Sequence, residues 1–433
     1  MSIKFPPALI PLETLTGQQW MQYQPCARLV DDQGRYLPWD EYQYRVAKGL
    51  DAAVAWSFTR RARHSAMQFI NYGNIQKQQA GFNHTALMAE VCEQIDKFST
   101  AQALIQQRER LSGMGAALSQ FQFEEPITSS QLEGANTTTL VARSLLASGR
   151  KPRTESEQMI VGNARMMKEI NSHLDEPLSP GLIRQFHATG MEGIDDAKYV
   201  PGNFRTTDDV VIADYDGNIV HQPPPAEQIT ERLQRMCDWA NATQGNYIHP
   251  LIRACILHFM IAHEHPFRDG NGRTSRALFY WSLLKSGYDA FRYISISSLL
   301  YASPVKYAQS YQRTESDNMD LTFFLEYQMG IVKRALNQYL QHIETLISRR
   351  VATDRMLYES GAFFRLTHRQ IILVNVMLCW PDTELSAAQV SEIMGLADNT
   401  ARNDLRALVR ETLAEEHKIN GQKTIYTLSK NLS

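Results

Sequence analysis

The sequence predicts a mainly α-helical protein with one small β-hairpin beside the helices. The segment LIRACILHFMIA, residues 251–262, is apolar on nearly every side, as expected of a helix buried in the middle of a bundle. A second helix, from about 322 to 350, has an apolar stripe at helical spacing that is formed by Val332, Leu336, Tyr339, Ile343 and Leu346. Strand signals are sparse, so we do not expect a large sheet.

Composition places the chain among ordinary globular proteins. Its 433 residues are 43% hydrophobic and 21% charged, which excludes disordered, collagen-like and mucin-like chains. This length is typical of about three domains. The 44 basic and 46 acidic residues give a formal charge of -2, so no overall positive field favours nucleic acids or membranes.

Targeting and redox signals favour the cytoplasm. The N-terminus, MSIKFPPALIPLE, has early prolines and an acidic residue where a secretory signal would be apolar. No apolar run is long enough to cross a bilayer. The five cysteines are far apart and odd in number, which fits neither a zinc motif nor a disulfide framework. We therefore expect a cytoplasmic protein without membrane segments.

The first third of the chain predicts helices but little chemistry. Residues 1–95 contain three tryptophans that suggest a small ordered layer of unknown role, namely Trp20, Trp39 and Trp56. Residues 96–154 are predicted to be a helical segment, in which 97–123 have apolar residues at roughly helical spacing with a break near Gly113 and Gly115.

The best strand signal lies in the middle of the chain, in VVIADYDGNIVHQ at 210–222. Asp216-Gly217 stands between two apolar runs and predicts a hairpin turn. The three prolines at 223–225 cannot continue a strand, so the hairpin ends there. We expect a small flap beside the helical body.

The C-terminal segment, residues 360–433, has a different pattern. Helical pieces at 367–379, 386–394 and 397–411 precede two short strand-like runs joined by Asn420-Gly421. Three helices and a hairpin in this order resemble a winged helix-turn-helix domain, in which Asp398 or Asn399 would cap the last helix.

The sequence of this segment does not decide whether its binding partner is DNA or protein. Arg402, Arg406 and Arg410 form a stripe on the predicted recognition helix that could face phosphates. Residues 361–433 nevertheless hold eight basic and eight acidic residues, which is a weak electrostatic footprint for DNA. Contact with another protein, or packing as a homodimer, is the alternative.

The most informative stretch is HPFRDGNGRTSR, residues 265–276. Pro266 ends the buried helix, the glycines permit a tight turn, and a new helix begins near Asn271. The first turn of that helix offers unpaired N–H groups and the positive end of the dipole, beside two arginines one turn apart. This arrangement is a cradle for a polyphosphate. Asp269 is placed to bind Mg²⁺, and His265 could act as a base.

These residues resemble the motif of the Fic family, H-P-F-x-[D/E]-G-N-G-R-x-x-R, at all nine specified positions. A purely structural turn has no need of His, Asp, Asn and two Arg together. The spacing of a P-loop is absent. The resemblance extends to PGNFRTTDD at 201–209, to the hairpin, and to residues 182–187, and it implies a Fic-type helical bundle over about 155–350.

The resemblance implies transfer of AMP from ATP to a Tyr, Thr or Ser hydroxyl of a target protein, or of the protein itself. His265 would deprotonate the hydroxyl, and Asp269 would hold Mg²⁺. The nucleotide would be bound by Gly270, Asn271, Gly272, Arg273 and Arg276, with Arg276 on the γ-phosphate. The flap around 208–220 would hold the target by strand addition. Transfer of phosphate or phosphocholine, each known in the family, stays open.

A second pattern implies self-inhibition. SSQLEG at 129–134 matches the family's inhibitory pattern, [S/T]xxxE[G/N], and precedes the domain as in the subclass with an N-terminal inhibitory helix. The pattern places Ser129, Glu133 and Gly134 at its specified positions. Glu133 paired with Arg276 would remove the partner of the γ-phosphate and misalign the α-phosphate. The same glutamate could position a water that removes AMP.

Several alternatives accompany these assignments. His258, His263 and His265 lie close in sequence, but the lack of an HExxH pattern and the break at Pro266 argue against a metal triad. His258, His187 and His249 are expected to be structural, and Tyr301, Tyr307 and Tyr311 either line the base pocket or belong to the core. The alternative function is a nucleotide-sensing transcription regulator that binds DNA through its C-terminal domain, which the intact His265 disfavours.

Overall fold

The structure is a computed structural model that describes residues 3–70, 79–111, 118–194, 200–213, 217–379, 384–419 and 424–429. The predicted turns at Asp216-Gly217 and Asn420-Gly421, and the predicted break near Gly113 and Gly115, involve positions outside the described residues. The described chain is mainly α-helical with short strand pairs, so the predicted fold class is confirmed. None of its helices has the length and apolarity needed to span a membrane.

The chain divides into two compact units. The first contains Met1–Ser99, Phe123–Phe291 and Ser295–Ala335, and the second contains Thr100–Gln122, Arg292–Ile294 and Leu336–Ser433.

The first unit begins with a small N-terminal layer. Its helices and strands are Gly17–Tyr23 (α1), Trp39–Tyr42 (α2), Ala52–Ala66 (α3), Gln68–Phe69 (β1), Gly81–Phe82 (β2) and Ala86–Phe98 (α4). The fully buried Trp56 ring lies 5.6 Å from the Trp39 ring, edge to face, while Trp20 is about half exposed. Side-chain packing therefore orders this region, as the tryptophans suggested.

One segment differs from its sequence pattern. The apolar spacing at 97–123 suggested one interrupted helix, but Phe98 ends α4 and a separate helix, Ala101–Leu111 (α5), follows it. The Ser99 hydroxyl donates to the Ile95 carbonyl, and its backbone N–H donates to the same oxygen. Ser99 thus caps the end of α4 and separates the two helices.

The remaining helices of the first unit surround the candidate site. They are Glu124–Leu132 (α6), Thr139–Ser148 (α7), Glu155–Ser172 (α8), Pro180–Met191 (α9), Ile229–Asn241 (α10), Pro250–Glu264 (α11), Asn271–Lys285 (α12), Ser297–Tyr301 (α13) and Pro304–Ser316 (α14). Helices α11 and α12 are buried at nearly every position and form the centre of the unit. The sequence HPFRDG joins them, so the best-packed part of the fold holds this loop rigidly.

The predicted hairpin is present as Ile212–Ala213 (β3) and Ile219–His221 (β4). The two strands are antiparallel, pair Ile212 with His221, and shift register before Ala213. The hairpin is small, as the sequence predicted, and the other strand pairs of the described chain are also two-stranded.

The second unit has its own core. Its helices and strands are α5, the later part of Thr322–Glu359 (α15), His368–Cys379 (α16), Ala387–Met394 (α17), Asp398–Arg410 (α18), Ala414–Lys418 (β5) and Thr424–Leu428 (β6). Leu357, Val374, Leu405 and Tyr426 are among its fully or almost fully buried core residues. Three helices and a hairpin follow in the predicted order, while the winged helix-turn-helix assignment stays a prediction. The predicted cap was wrong, because Ala397 precedes α18 and makes no side-chain cap.

Candidate active site

The loop between α11 and α12 has a fixed and unusual backbone. His265 ends α11 in the left-handed region at φ 45°, and Gly270 precedes α12 at φ 80°. The positive φ favours glycine at 270, and a Cβ there would also displace the end of the Met191 side chain and crowd His187. The Asn271 amide closes the loop by accepting from the Phe267 N–H at 2.9 Å and donating to the Phe267 carbonyl at 2.8 Å.

His265 is held as a neutral base at the edge of a cavity. Its Nδ1 lies 3.3 Å from the Ala262 carbonyl oxygen, which only a protonated nitrogen can contact favourably, so Nε2 carries the lone pair. Burial, together with nearby His221 and Arg205, lowers the pKa of His265 to about 4. The ring is therefore able to accept a proton at neutral pH without first losing one.

His187 and Arg205 support the loop from outside. Sequence analysis did not assign either residue to the site. His187 is fully buried and stacked on Phe267 at 3.7 Å between ring centroids. Its Nδ1 accepts from the Gly202 N–H at 3.0 Å, so its Nε2 must donate to the Asp269 carbonyl at 2.9 Å. Burial lowers the pKa of His187 to about 4, which keeps this neutral tautomer. His187 is structural, as expected, and it positions Asp269.

Arg205 joins the loop to the flap. Its buried guanidinium donates to the carbonyls of His265 at 3.0 Å and Thr207 at 3.1 Å, to the Pro224 carbonyl, and to the Asp208 carboxylate at 2.9 Å. Thr207 and Pro224 lie before and after the hairpin. Arg205 therefore fixes both ends of the flap to the backbone of His265. It stands in the PGNFRTTDD segment, which was the available sequence signal.

The carboxylate of Glu133 lies against the start of α12. Glu133 follows α6, and its Oε1 accepts from Arg276 Nη2 at 2.8 Å. A Cβ built on Gly272 would lie 2.2 Å from the same oxygen, so the carboxylate packs directly on the first turn of α12. The positive end of the helix dipole favours a negative group at this position.

Ser129 completes this contact. Its hydroxyl accepts from Arg276 Nε at 2.9 Å, and its carbonyl accepts from Nη2 at 3.1 Å. Ser129 and Arg276 are almost fully buried, so α6 encloses the guanidinium. Gly134 has φ 98°, a conformation that turns the chain away from α6 directly after Glu133. The structure thus brings Ser129, Glu133, Gly134 and Arg276 together, although 143 positions separate Glu133 from Arg276.

Asp269 and Arg273 occupy neighbouring positions on the loop and helix. Asp269 is partly exposed, and its Oδ1 accepts from the Gly270 N–H at 2.6 Å. A partly exposed carboxylate beside the open N-terminus of a helix is the type of oxygen ligand that Mg²⁺ takes together with phosphates and water. Arg273 is fully buried in the first turn of α12.

A cavity of about 280 Å³ connects these groups. His265, Asn271, Gly272, Arg276 and Glu133 line one part of it. Flap and α14 residues line the rest, among them Ile212, Val220, Tyr307, Tyr311 and Gln312. The cavity is therefore open to the loop, the flap and the predicted base pocket together.

The tyrosines divide between two environments. Tyr307 and Tyr311 line the cavity with their hydroxyl oxygens 3.1 Å apart, whereas Tyr301 is half exposed. His258 is fully buried, and its Nε2 contacts the Tyr307 hydroxyl at 2.7 Å, in keeping with a core histidine. His249 caps α11 by accepting from the Leu251 N–H at 3.1 Å, which is a structural role.

Comparisons with known proteins find one family match and several relatives. Residues 177–283 match the model of the Fic/DOC family. "Protein adenylyltransferase Fic" of Drosophila grimshawi is 35% identical over 131 residues, which are 30% of this chain and 25% of the relative. The Drosophila persimilis protein of the same name is 29% identical over 214 residues, 46% of this chain and 40% of the relative. The chain thus spans a quarter to two fifths of these curated relatives.

Solved structures that match this chain include a Fic family protein from Desulfovibrio desulfuricans. It is 19% identical, with a TM-score of 0.48 over 81% of this chain and 98% of that chain. Fic-1 from C. elegans, residues 134 to 508, is 22% identical, with a TM-score of 0.44 over 60% of this chain and 75% of that chain.

Proposed function

We propose, from the Fic domain that this chain contains, that it is a protein adenylyltransferase inhibited by its own helix α6. The observation that carries the proposal is the cavity that joins a neutral His265 to the first turn of α12 and to Arg276. Group transfer from a nucleotide needs mainly positioning and neutralisation of charge, and these residues offer both.

In the proposed reaction a hydroxyl oxygen of the target attacks the α-phosphate of ATP. A new P–O bond forms, the bond to the β-phosphate breaks, and pyrophosphate leaves. His265 Nε2 takes the hydroxyl proton. Asp269 would hold Mg²⁺, which neutralises phosphate charge when bound. Arg273 and the N–H groups of Gly270 and Gly272 would bind the phosphates.

Asn271 has a second part in this proposal besides the nucleotide contact that the motif implied. Its carbonyl oxygen and one N–H are used on Phe267 and hold the loop closed, while its second N–H would be available to a phosphate. The target segment would pair with the flap, whose fixed ends bring it beside His265.

We place the reaction in the cytoplasm. We assign catalysis to about 155–350 and partner choice to 360–433.

Glu133 would act as the inhibitor. Arg276 uses Nε and Nη2 on Ser129 and Glu133, while its buried Nη1 has no hydrogen-bond partner among the described residues. A γ-phosphate bound to Arg276 would lie beside the Glu133 carboxylate. The two negative groups would repel each other, and this repulsion would weaken binding of the γ-phosphate. Breaking or displacing such a partly buried pair costs about 3 kcal/mol, which corresponds to about two decades in rate.

The test is AMP transfer by the Glu133→Gly variant. We expect labelled ATP with Mg²⁺ to be incorporated about a hundredfold faster than in wild type, with a mass increase of one AMP on the protein. Arg276→Ala should not be activated in this way, because it removes the proposed γ-phosphate contact together with the inhibitory one.

Glu133→Gln is the matched control for the charge, since it keeps the shape but weakens the repulsion. Equal rates for wild type and Glu133→Gly would refute the inhibitory role of residues 129–134. An adduct with the mass of phosphate or phosphocholine would refute the assignment to AMP transfer.

A further inference from the structure

Three metal-binding side chains converge beside the flap: His221 at the end of β4, His263 on α11 and Glu315 on α14. One ligand atom of each lies within 4.8 Å of the other two. Nδ1 of His263 lies 2.6 Å from Glu315 Oε1, and Nδ1 of His221 lies 3.0 Å from the same oxygen. Among the described residues no other group of three such side chains converges in this way.

The hydrogen bonds around His221 require a further proton or a metal ion in this cluster. Its Nε2 lies 2.8 Å from the His263 carbonyl oxygen, so Nε2 must carry a proton and donate it. In the neutral ring Nδ1 then has a lone pair, and that lone pair faces the carboxylate of Glu315. Two lone pairs at 3.0 Å repel each other unless a second proton or a metal ion lies between them.

We propose that His221, His263 and Glu315 bind a divalent transition-metal ion of the Zn²⁺ class. Two imidazoles and one carboxylate are ligands that Zn²⁺ takes, whereas Mg²⁺ prefers oxygen. The contact of His221 Nε2 with a backbone carbonyl is the outer contact that orients ligating histidines. Three protein ligands leave one coordination position for water, and the adjoining cavity of about 280 Å³ has room for it.

Metal binding requires the three side chains to adjust. Tetrahedral Zn²⁺ with ligands at about 2.1 Å places the ligand atoms about 3.4 Å apart. The contacts of Glu315 at 2.6 and 3.0 Å must lengthen toward this spacing, and the two imidazole nitrogens, which lie within 4.8 Å of each other, must take it up as well. The three side chains are 82 to 92% buried, with exposed fractions of 10% for His221, 8% for His263 and 18% for Glu315.

The bound ion ties the flap to the helical core. His221 is the last residue of β4, while His263 and Glu315 belong to helices of the centre. A metal bond between them fixes the strand that lies next to the cavity. His221, His263 and Glu315 line the same cavity as His265, but none of the proposed ligands is His265, Asp269 or Arg276, so metal binding can be measured without AMP transfer.

The experiment measures Zn²⁺ binding to the full-length, tag-free protein against a competing chelator, with millimolar Mg²⁺ present to occupy phosphate-type sites. We expect one Zn²⁺ per chain in wild type, and at least a hundredfold weaker binding in His221→Asn and Glu315→Gln. Co²⁺ in the same site should give the intense visible absorption of a four- or five-coordinate ion. Amide exchange at 219–221 should slow on addition of Zn²⁺ in wild type only.

His417→Asn is the matched control, since it removes a half-exposed histidine whose Nε2 lies 3.8 Å from Glu415, outside the cluster. Its Zn²⁺ affinity should equal that of wild type. Equal binding by wild type, His221→Asn and Glu315→Gln, or no binding by wild type, overturns the proposal and leaves a proton as the cation of the cluster. A weak six-coordinate Co²⁺ spectrum also overturns it.

Discussion

His265 has a strained backbone conformation that its neighbours hold in place. A non-glycine residue at φ 45° costs about 1–2 kcal/mol, and the surrounding contacts hold it there. The His265 N–H donates to the Ile261 carbonyl at 3.1 Å, while its own carbonyl accepts from Arg205. Held in this conformation, His265 lines the cavity.

His265→Ala is expected to abolish transfer while ATP binding survives. The proposed phosphate contacts are made by the first turns of α12, including Arg276, and the imidazole of His265 makes none of them. The measurement is label incorporation together with ATP affinity, both in the Glu133→Gly background. Retained labelling would show that another group removes the proton, and lost ATP binding would show that His265 shapes the pocket.

The pH dependence follows from the depressed pKa of His265. Because burial lowers its pKa to about 4, the neutral base is present above that value and is lost as the pH falls through it. Glu133 is one of the groups that raise this pKa, so Glu133→Gly should move the midpoint further down. We expect kcat/KM for MgATP, which reports the pKa values of the free enzyme, to be flat from pH 8 to about 5.5. A midpoint near 6.5 in protein shown to be folded would contradict this.

At the scale of elements, α6 is held by its first turn. Glu125 is buried and accepts from the Tyr280 hydroxyl at 2.7 Å, the Ser295 hydroxyl at 2.8 Å, and both the N–H, at 3.0 Å, and hydroxyl of Ser297. Tyr280 belongs to α12, while Ser295 and Ser297 lie just before and within α13, so one carboxylate fixes α6 to the core. Glu133 can reach Arg276 only while α6 stays in this place.

Glu125→Gln should therefore release part of the inhibition. The amide places an N–H₂ group among donors, and leaving buried groups unsatisfied costs about 1–3 kcal/mol. We expect AMP incorporation between the rates of wild type and Glu133→Gly, and a lower Tm. Glu124→Gln is the control, since Glu124 lies in the same turn but pairs with the partly exposed Arg143. Wild-type activity in Glu125→Gln would show that α6 is held elsewhere.

The sequence predicted elements well where the signal is local. The all-round apolar segment at 251–262 lies within α11, and Asp269-Gly270-Asn271 predicted the start of α12 at Asn271. The side chain of Asn271 was less predictable, because its choice of Phe267 depends on the path of the loop. Similarly, the helical spacing at 97–123 did not indicate how Ser99 ends α4.

At the scale of the whole molecule, contacts between residues far apart in the sequence could not be predicted from local patterns. The pairing of Glu133 with Arg276 could be expected only through the family resemblance, since 143 positions separate the two. His221 and Glu315 stand 94 positions apart and belong to no local motif, so nothing in the sequence joined them to His263. Such clusters exist only once the flap, α11 and α14 have packed.

The separate core of the C-terminal helices predicts where the chain can be cut. Every residue assigned here to the site belongs to the first unit, while Leu357 and the later helices share a separate core. A chain that ends at Arg350 keeps the hydrogen bond of 2.6 Å between Tyr339 and Gln107, which belongs to the packing of α15 with α5. It also avoids exposing Leu357, as a cut at 360 would.

Removal of residues 351–433 should therefore leave self-modification of the Glu133→Gly form within about threefold, because a separately packed unit contributes little to chemistry elsewhere. If the second unit selects a partner protein, labelling of that partner should fall by much more than threefold. The measurement compares label incorporation by full-length and shortened Glu133→Gly proteins after circular dichroism has shown both to be folded. The shortened chain with His265→Ala added gives the background. If the folded short chain binds ATP but no longer labels itself, the second unit contributes to the reaction, and the division between catalysis and partner choice is wrong.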